Sequence, residues 1–414
     1  MTIDFIERQC NEGLLTRLPL NTTPRRVGAA VLVLLLAALG VALLLYPPAY
    51  VWRVLVWQDA DADDQFRFAR RTAQAAPGAS DLPVALDEPA VRQAFAQALP
   101  GHSLEAWLQA QGTLGFVVLH RGKVVYEGYF NGHRRDNPAT SFSVAKSVLG
   151  TLLDQAIDTG KVGSLDDPVT RYLPELQQRD PRFEAVTLRH LVDMIAGLHY
   201  QEFPFLNGDD AKTYYWPDLR ELALQHTQVE HAPGEAWMYN NYHPLLIGRV
   251  LERQTGMPVT QWLQQQLWQP AGMSIDAGWS LDREGGFEKL ESGINARTRD
   301  FARFGQLLLD QGVALDGRRV IGASAVRTAT SPDGAMPLTH LRAGMYYKHF
   351  WWGQQRADGG YDFSARGNHG RFVFVSPANG VVIARNGQRY GVPPGEWMRL
   401  FEQMADRLGC QVDP

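Results

Sequence analysis

In the stretch ATSFSVAKSVLG, Ala139 to Gly150, one helical turn separates a hydroxyl from an amine, Ser143 from Lys146. Val144, Val148, Leu149, Leu152, Leu153, Ala156 and Ile157 recur with helical period and Gly160 supplies the stop, so a packed helix is expected from about Ser143. At i, i+3 the two side chains share a face near the helix N-terminus, with Ser141 as candidate cap. A serine hydroxyl attacks a carbonyl once a base takes its proton, and a desolvated lysine is such a base. The N–H groups of the helix end favour the oxyanion that forms. The plain alternative is a lysine hydrogen-bonded to a structural serine. Thirteen serines and six lysines give about one chance S-x-x-K in every five such chains, so the pair needs company.

Two further elements supply it. Tyr239-Asn240-Asn241 stands just before another apolar-periodic helix, where a phenol can carry a proton between serine and lysine. The Asn241 amide can orient the lysine or a substrate carbonyl. A second Y-x-N, at Tyr129 to Asn131, precedes the serine at a strand end and reads as accidental. In SARGNHGRFVFVSP, Gly367 and Gly370 open a strand along whose edge a substrate can lie, and the N–H of Arg371 could be a second oxyanion donor. A glycine turn before an edge strand explains that stretch equally well.

These residues need a scaffold assembled from distant parts of the chain. LGFVVLH and KVVYEGYF around Arg121-Gly122 read as a hairpin, as do RFVFVS and VVIARN around PANG. Between them SVAKSVLGTLLDQAIDTG, TLRHLVDMIAG, YHPLLIGRVLERQTG and ARTRDFARFGQLLLDQG read as helices, with EWMRLFEQMADRL as the last. The expectation is an α/β (α+β) fold of two lobes, a sheet with flanking helices beside a helical lobe, and a ligand cleft between them.

Together the three elements resemble the serine β-lactamase and penicillin-binding-protein superfamily. The likeness is to its class C branch, which includes D-alanyl-D-alanine carboxypeptidases, carboxylesterases and 6-aminohexanoate-dimer hydrolases. It runs from about Gly115 to Val382 and includes GKVGSLDDPVTRYLPEL, PGEAWMYNN and GMPVTQWLQQQLWQPAGM. The resemblance implies an antiparallel sheet flanked by helices, with Ser143 the acylated nucleophile, Lys146 its activating partner and Tyr239 general base and acid. It implies Asn241 as a substrate-orienting group, N–H groups of Ser143 and Arg371 as the oxyanion hole, and no metal or other cofactor. The third motif, normally Lys or His, a small residue and Gly, here reads Asn368-His369-Gly370. The site thereby loses a clamp for a substrate carboxylate, for which Arg371 or His369 are the candidate replacements. MIAG at Met194 to Gly197, where the family usually has H-T-S-G, brings the chain nearer the aminohexanoate-oligomer and esterase-like members.

From Val27 to Tyr46 twenty residues carry no charge, enough to span about 30 Å of hydrocarbon. A cleaved signal peptide would have a shorter apolar run ending at small residues, whereas this one ends in Tyr46-Pro47-Pro48. Arg8, Arg17, Arg25 and Arg26 precede it and only Arg53 follows closely. The expectation is therefore a single-pass inner-membrane protein of a bacterium, with residues 1–26 cytoplasmic, an anchor at 27–46 and the rest periplasmic. Residues 47–89, punctuated by Pro77, Gly78, Pro83 and Pro89, read as a weakly ordered tether, and 90–414 as the catalytic domain.

A formal charge of −4, without blocks of like charge, gives no case for nucleic acid. Cys10 and Cys410, placed across the membrane from each other, cannot pair. Asp166-Asp167-Pro168 is a turn signal, HTQVEH is one residue too long for the H-x-x-E-H zinc pattern, and G-x-S-x-G is absent. Tyr214, Tyr215, Trp216, Trp351 and Trp352 are candidates for an apolar pocket or for core. The leading expectation is a membrane-anchored hydrolase of a small amide or ester. The alternatives are a silent binder of cell-wall fragments and a β-lactamase or D-Ala-D-Ala carboxypeptidase.

Overall fold

The computed structural model describes residues 24–204 and 206–410. Most of the expected cytoplasmic segment, residues 1–23 with Cys10, lies outside them. The strands, in chain order, are β1 Arg70–Ala73, β2 Thr113–His120, β3 Lys123–Tyr129, β4 Ala139–Thr140, β5 Ala277–Ser280, β6 Ile294–Ala296, β7 Met336–Pro337, β8 Met345–Lys348, β9 Trp351–Gln355, β10 Tyr361–Gly367, β11 Arg371–Ser376 and β12 Val381–Gly387. Eight of them form an antiparallel sheet in the order β3-β2-β12-β11-β10-β9-β8-β7. The first strand of this sheet in chain order, β2, thus pairs with the last, β12.

Both expected hairpins form. Arg121 (φ 49°) and Gly122 (φ 79°) turn β2 into β3 with two positive-φ residues, the geometry that matches strand twist. Gly380 (φ 61°) delivers the chain into β12. Side-chain alternation then sorts two cores. Phe116, Val118, Phe372, Phe374, Val381 and Ile383 face the helices Glu88–Ala98, Leu104–Ala110 and Pro394–Gly409. Val117, Leu119, Val373, Val375, Val382 and Ala384 face the helix Thr298–Leu309 and the helical lobe beyond it. A Cβ on Gly305 would lie 2.8 Å from Val373 Cγ1 and 2.7 Å from Val382 Cγ1, so only glycine lets that helix seat on the sheet.

The helical lobe is built on Tyr242–Thr255, which ends at Gly256 in the left-handed conformation (φ 70°). Leu245, Leu246, Val250 and Leu251 on this helix pack with Leu191, Leu222 and Leu152. TLRHLVDMIAG forms only one short helix, Leu188–Val192, capped reciprocally by Thr187 and His190. Met194, in the left-handed region (φ 60°), ends it. Its apolar spacing is helical, but the backbone turns to carry Met194 beneath Asn240 and His243.

The expected tether is instead folded onto the domain. Helix α1, Pro24–Leu45, is followed by α2, Pro48–Trp57, whose Tyr50, Val51 and Val54 are buried. Arg53 donates to the carbonyls of Tyr215 (2.9 Å) and Asp282 (2.6 Å). Strand β1 joins a second sheet in the order β1-β5-β6-β4, pairing Arg70 with Ser280 and Ala73 with Ala277. The proline and glycine punctuation was real, but apolar residues on one face of a short helix outweigh it once a partner surface exists.

Candidate active site

The serine sits where strand gives way to helix. Ser141 N–H donates to the Ile294 carbonyl of β6 (2.6 Å), and Phe142 takes a left-handed φ of 43°. Ser143 is then the N-cap residue of the helix Val144–Asp158, with its hydroxyl uncommitted to capping. The expected cap, Ser141, turns away and its hydroxyl donates to the carbonyls of Phe142 and Ser292. A non-glycine residue held at positive φ beside the reactive group is strain that the surrounding packing must maintain.

Lys146 Nζ lies 2.8 Å from Ser143 Oγ and donates to the Glu291 carbonyl at 2.9 Å. The side chain is fully buried, and desolvation brings its pKa down to about 7, against the opposing pull of Glu291 and Asp210. The Tyr239 hydroxyl is near enough to Ser143 for the serine to oppose the rise in its pKa, and Lys146 Nζ stands 4.9 Å from the centre of the tyrosine ring. Trp352 stacks on Tyr239 (5.9 Å) and Tyr347 meets it edge-on (6.2 Å), which fixes the phenol. Burial pushes that phenol well above its ordinary pKa. Hydroxyl, amine and phenol therefore converge as the sequence leads one to expect.

The third motif is brought only partly to the site. A Cβ on Gly367 would lie 3.0 Å from the Ser143 nitrogen, so the end of β10 runs against the serine amide. Asn368, the next residue, lines the cleft. His369 does not: its Nε2 meets the Ala60 carbonyl (2.8 Å) and its ring packs on Phe142 (4.9 Å). Gly370 (φ 75°) abuts Arg385, whose Nη1 donates to its carbonyl (2.6 Å). Arg371 pairs with Gly367 in the β10–β11 ladder, and its guanidinium is buried 5.8 Å from the Phe142 ring, where burial lowers it to about 9. His369, Gly370 and Arg371 are thus placed in the turn and its packing rather than along the cleft.

Asn241 lines the cleft but does not reach Lys146. Its Nδ2 donates to Tyr200 Oη (2.8 Å) and Asp210 Oδ1 (3.0 Å), and its buried Oδ1 has no partner among the described residues. Asn240 is structural, accepting from Tyr242 N–H and donating to the Leu198 carbonyl. The cleft, about 780 Å³ out to open solvent, also exposes Asp59, Glu202 and Asp210, and among the described residues no lysine or arginine lines it. Sequence reasoning missed these carboxylates and the Glu291 carbonyl. Asp209-Asp210 looks like ordinary first-turn acid on a helix, and a carbonyl leaves no signal in residue type. Of the candidate aromatics, Tyr214 and Tyr215 line the cleft, Trp352 backs Tyr239, and Trp216 and Trp351 belong to the core. Asp166 and Asp167 are occupied by Arg189 and by Tyr172 and Arg171.

An antiparallel sheet with a helical lobe and a serine–lysine–tyrosine cluster between them defines a class, and comparison agrees. The Beta-lactamase family model matches residues 103–396, and the chain belongs to that family. It is a serine hydrolase related to amidohydrolases, esterases and D-aminopeptidases. The 6-aminohexanoate-dimer hydrolase of Paenarthrobacter ureafaciens is 28% identical over 352 residues, 80% of this chain and 86% of that one. Esterase EstB of Burkholderia gladioli is 31% identical over 153 residues, 34% of this chain and 38% of the esterase. A solved Bacillus anthracis protein, provisionally designated a 6-aminohexanoate-dimer hydrolase, superposes with a TM-score of 0.72 at 24% identity, covering 88% of this chain and 94% of that one.

Proposed function

We propose that the protein is a membrane-anchored hydrolase that cleaves a small amide or ester through an acyl-Ser143 intermediate. The observation that carries this is a fully buried lysine whose amine faces a serine hydroxyl and a carbonyl. Lys146, near neutral pH partly unprotonated, receives the Ser143 proton as Oγ bonds to the substrate carbonyl carbon. The N–H groups of Ser143 and Asn368 hold the oxyanion, Asn368 replacing the Arg371 donor that the resemblance implies. Tyr239, raised and therefore protonated, passes a proton from Lys146 to the departing nitrogen or oxygen as its bond to carbon breaks. Water then attacks the acyl group, its proton returns through the same groups, and Ser143 leaves with its hydrogen restored.

Three exposed carboxylates, with no lysine or arginine among the described residues that line the cleft, disfavour substrate carboxylates and favour an amine-bearing substrate. The partnerless Asn241 Oδ1 is suited to accept from a substrate N–H. Helix α1 contains nineteen residues, Val27–Leu45, long and apolar enough to cross a bilayer, and almost none of them is buried against the protein. The arginines before it favour a cytoplasmic N-terminus and a hydrolase outside, at the periplasmic face of a bacterial inner membrane. A fluorophosphonate probe tests the chemistry. Mass tagging at Ser143 that disappears in Ser143→Ala is expected, and an untagged wild-type protein would refute the nucleophile.

A further inference from the structure

Helix α2 has two apolar faces, and among the described residues only one is covered by protein. Tyr50, Val51 and Val54 point into the domain, while Trp52, Leu55 and Val56 are 61%, 56% and 50% exposed. Their i, i+3, i+4 spacing puts them on one stripe. Single exposed apolar residues are ordinary, but a stripe of three continuous with an exposed apolar helix is not. The stripe's orientation is fixed, because Tyr50 Oη donates to the Leu206 carbonyl (2.8 Å) while Arg53 holds the Tyr215 and Asp282 carbonyls. At the junction with α1, Tyr46 Oη donates to Asn207 Oδ1 (2.8 Å) and the Tyr46 ring packs on Tyr50 (5.6 Å).

The same elements form the mouth of the cleft. Gln58, Asp59 and Ala60, the first residues after α2, line it, and so do Glu202 and Phe203 just before the loop that grips Tyr46 and Tyr50. Phe203, on that rim, is 71% exposed. We infer that the Trp52–Leu55–Val56 face of α2 lies in the headgroup–acyl boundary of the bilayer that α1 crosses, so that the Ser143 cleft takes amphiphilic amides or esters held in that leaflet. The inference rests on the reading of α1 as an anchor. A tryptophan and two aliphatic side chains on a short helix leaving a span are suited to that boundary. Ten residues of helix extend only about 15 Å, which keeps the cleft mouth near the membrane surface.

The test uses the full chain in phosphatidylethanolamine–phosphatidylglycerol vesicles, with Cys10→Ser and Cys410→Ser and a nitroxide on Leu55→Cys. Collisions with oxygen should exceed those with a water-soluble nickel chelate. A label on Lys161→Cys, beyond the far end of the serine helix, should show the reverse. Water-like collisions at position 55, or exclusion of both quenchers as a protein contact would produce, overturn the inference. Vesicle flotation separates the underlying reading: a chain that floats with position 55 in water keeps its anchor and loses this surface, whereas a chain that does not float loses both.

A second arm reads the substrate. Combined Trp52→Glu, Leu55→Glu and Val56→Glu should lower kcat/KM about tenfold on a long-chain p-nitrophenyl ester in vesicles. Turnover of dissolved p-nitrophenyl acetate should stay unchanged. Equal effects on both esters overturn the membrane-substrate claim, and fluorophosphonate tagging of Ser143 shows independently whether the hydrolase reading stands.

Discussion

Two lysines are fully buried against the same glutamate residue, and their surroundings give them different work. Lys289 Nζ is 3.0 Å from the Glu291 carboxylate, also donates to the Tyr214 carbonyl, and lies 3.7 Å from the Tyr214 ring centre. Lys146 Nζ meets only the backbone carbonyl of Glu291, the Ser143 hydroxyl and the face of Tyr239. Desolvation lowers both, but at Lys289 a paired carboxylate opposes it through both charge and hydrogen bonding. A buried ammonium beside a carboxylate is a structural ion pair. A buried amine facing neutral oxygens is cheap to deprotonate and becomes a base. Burial alone therefore does not mark the catalytic lysine; the partners do.

Removing each amine should separate the two roles. Lys146→Met is expected to lower kcat about a thousandfold or more, within the range of losing a general base. Its thermal unfolding midpoint should stay close to wild type, since no paired charge is stranded. Loss of folding instead would mean Lys146 is structural. Lys289→Met leaves the Glu291 carboxylate buried without its ion-pair partner, held by Ser292 Oγ, which costs about 3–5 kcal/mol, read by urea unfolding. Turnover per folded molecule should survive, and a fall as deep as that of Lys146→Met would erase the distinction.

Smaller effects sharpen the contrast. Asp210→Asn should cost about tenfold in kcat/KM on an amine-bearing amide, roughly one screened charge contact, and much less on a neutral ester. Equal losses would remove the cleft carboxylates from substrate choice. In Lys289→Met, a positive neighbour is gone and Glu291 is freed to hold the Lys146 ammonium, so the acid limb of kcat/KM should move to higher pH, by about one unit or less. An unmoved limb would show that the two lysines do not sense each other.

Much of this site was legible in residue order because helical and strand periods are local. Ser143 and Lys146 lie one turn apart, and the hairpins on either side of them carry their own turn residues. Placement of the Asn368–Arg371 turn was not legible, since Gly367 meeting the Ser143 amide depends on how β10 docks against a distant helix. Residues 48–73 failed for a related reason: Tyr50 and Val54 are buried only because the Leu206 and Tyr215 segments, over 150 positions away, are there to receive them. The charge partners of Lys146 belong to the same long-range class.

The central claim is that Lys146, as a neutral amine, takes the proton of Ser143. The most direct test is the pH dependence of Ser143 acylation by a fluorophosphonate in wild type and Lys146→Ala. Because the amine must be unprotonated to act, the wild-type rate should rise with pH through about 7, where burial places Lys146. In the variant, that limb should vanish along with most of the rate. A wild-type profile flat from pH 5 to 9, or the same limb persisting in Lys146→Ala, would contradict the account.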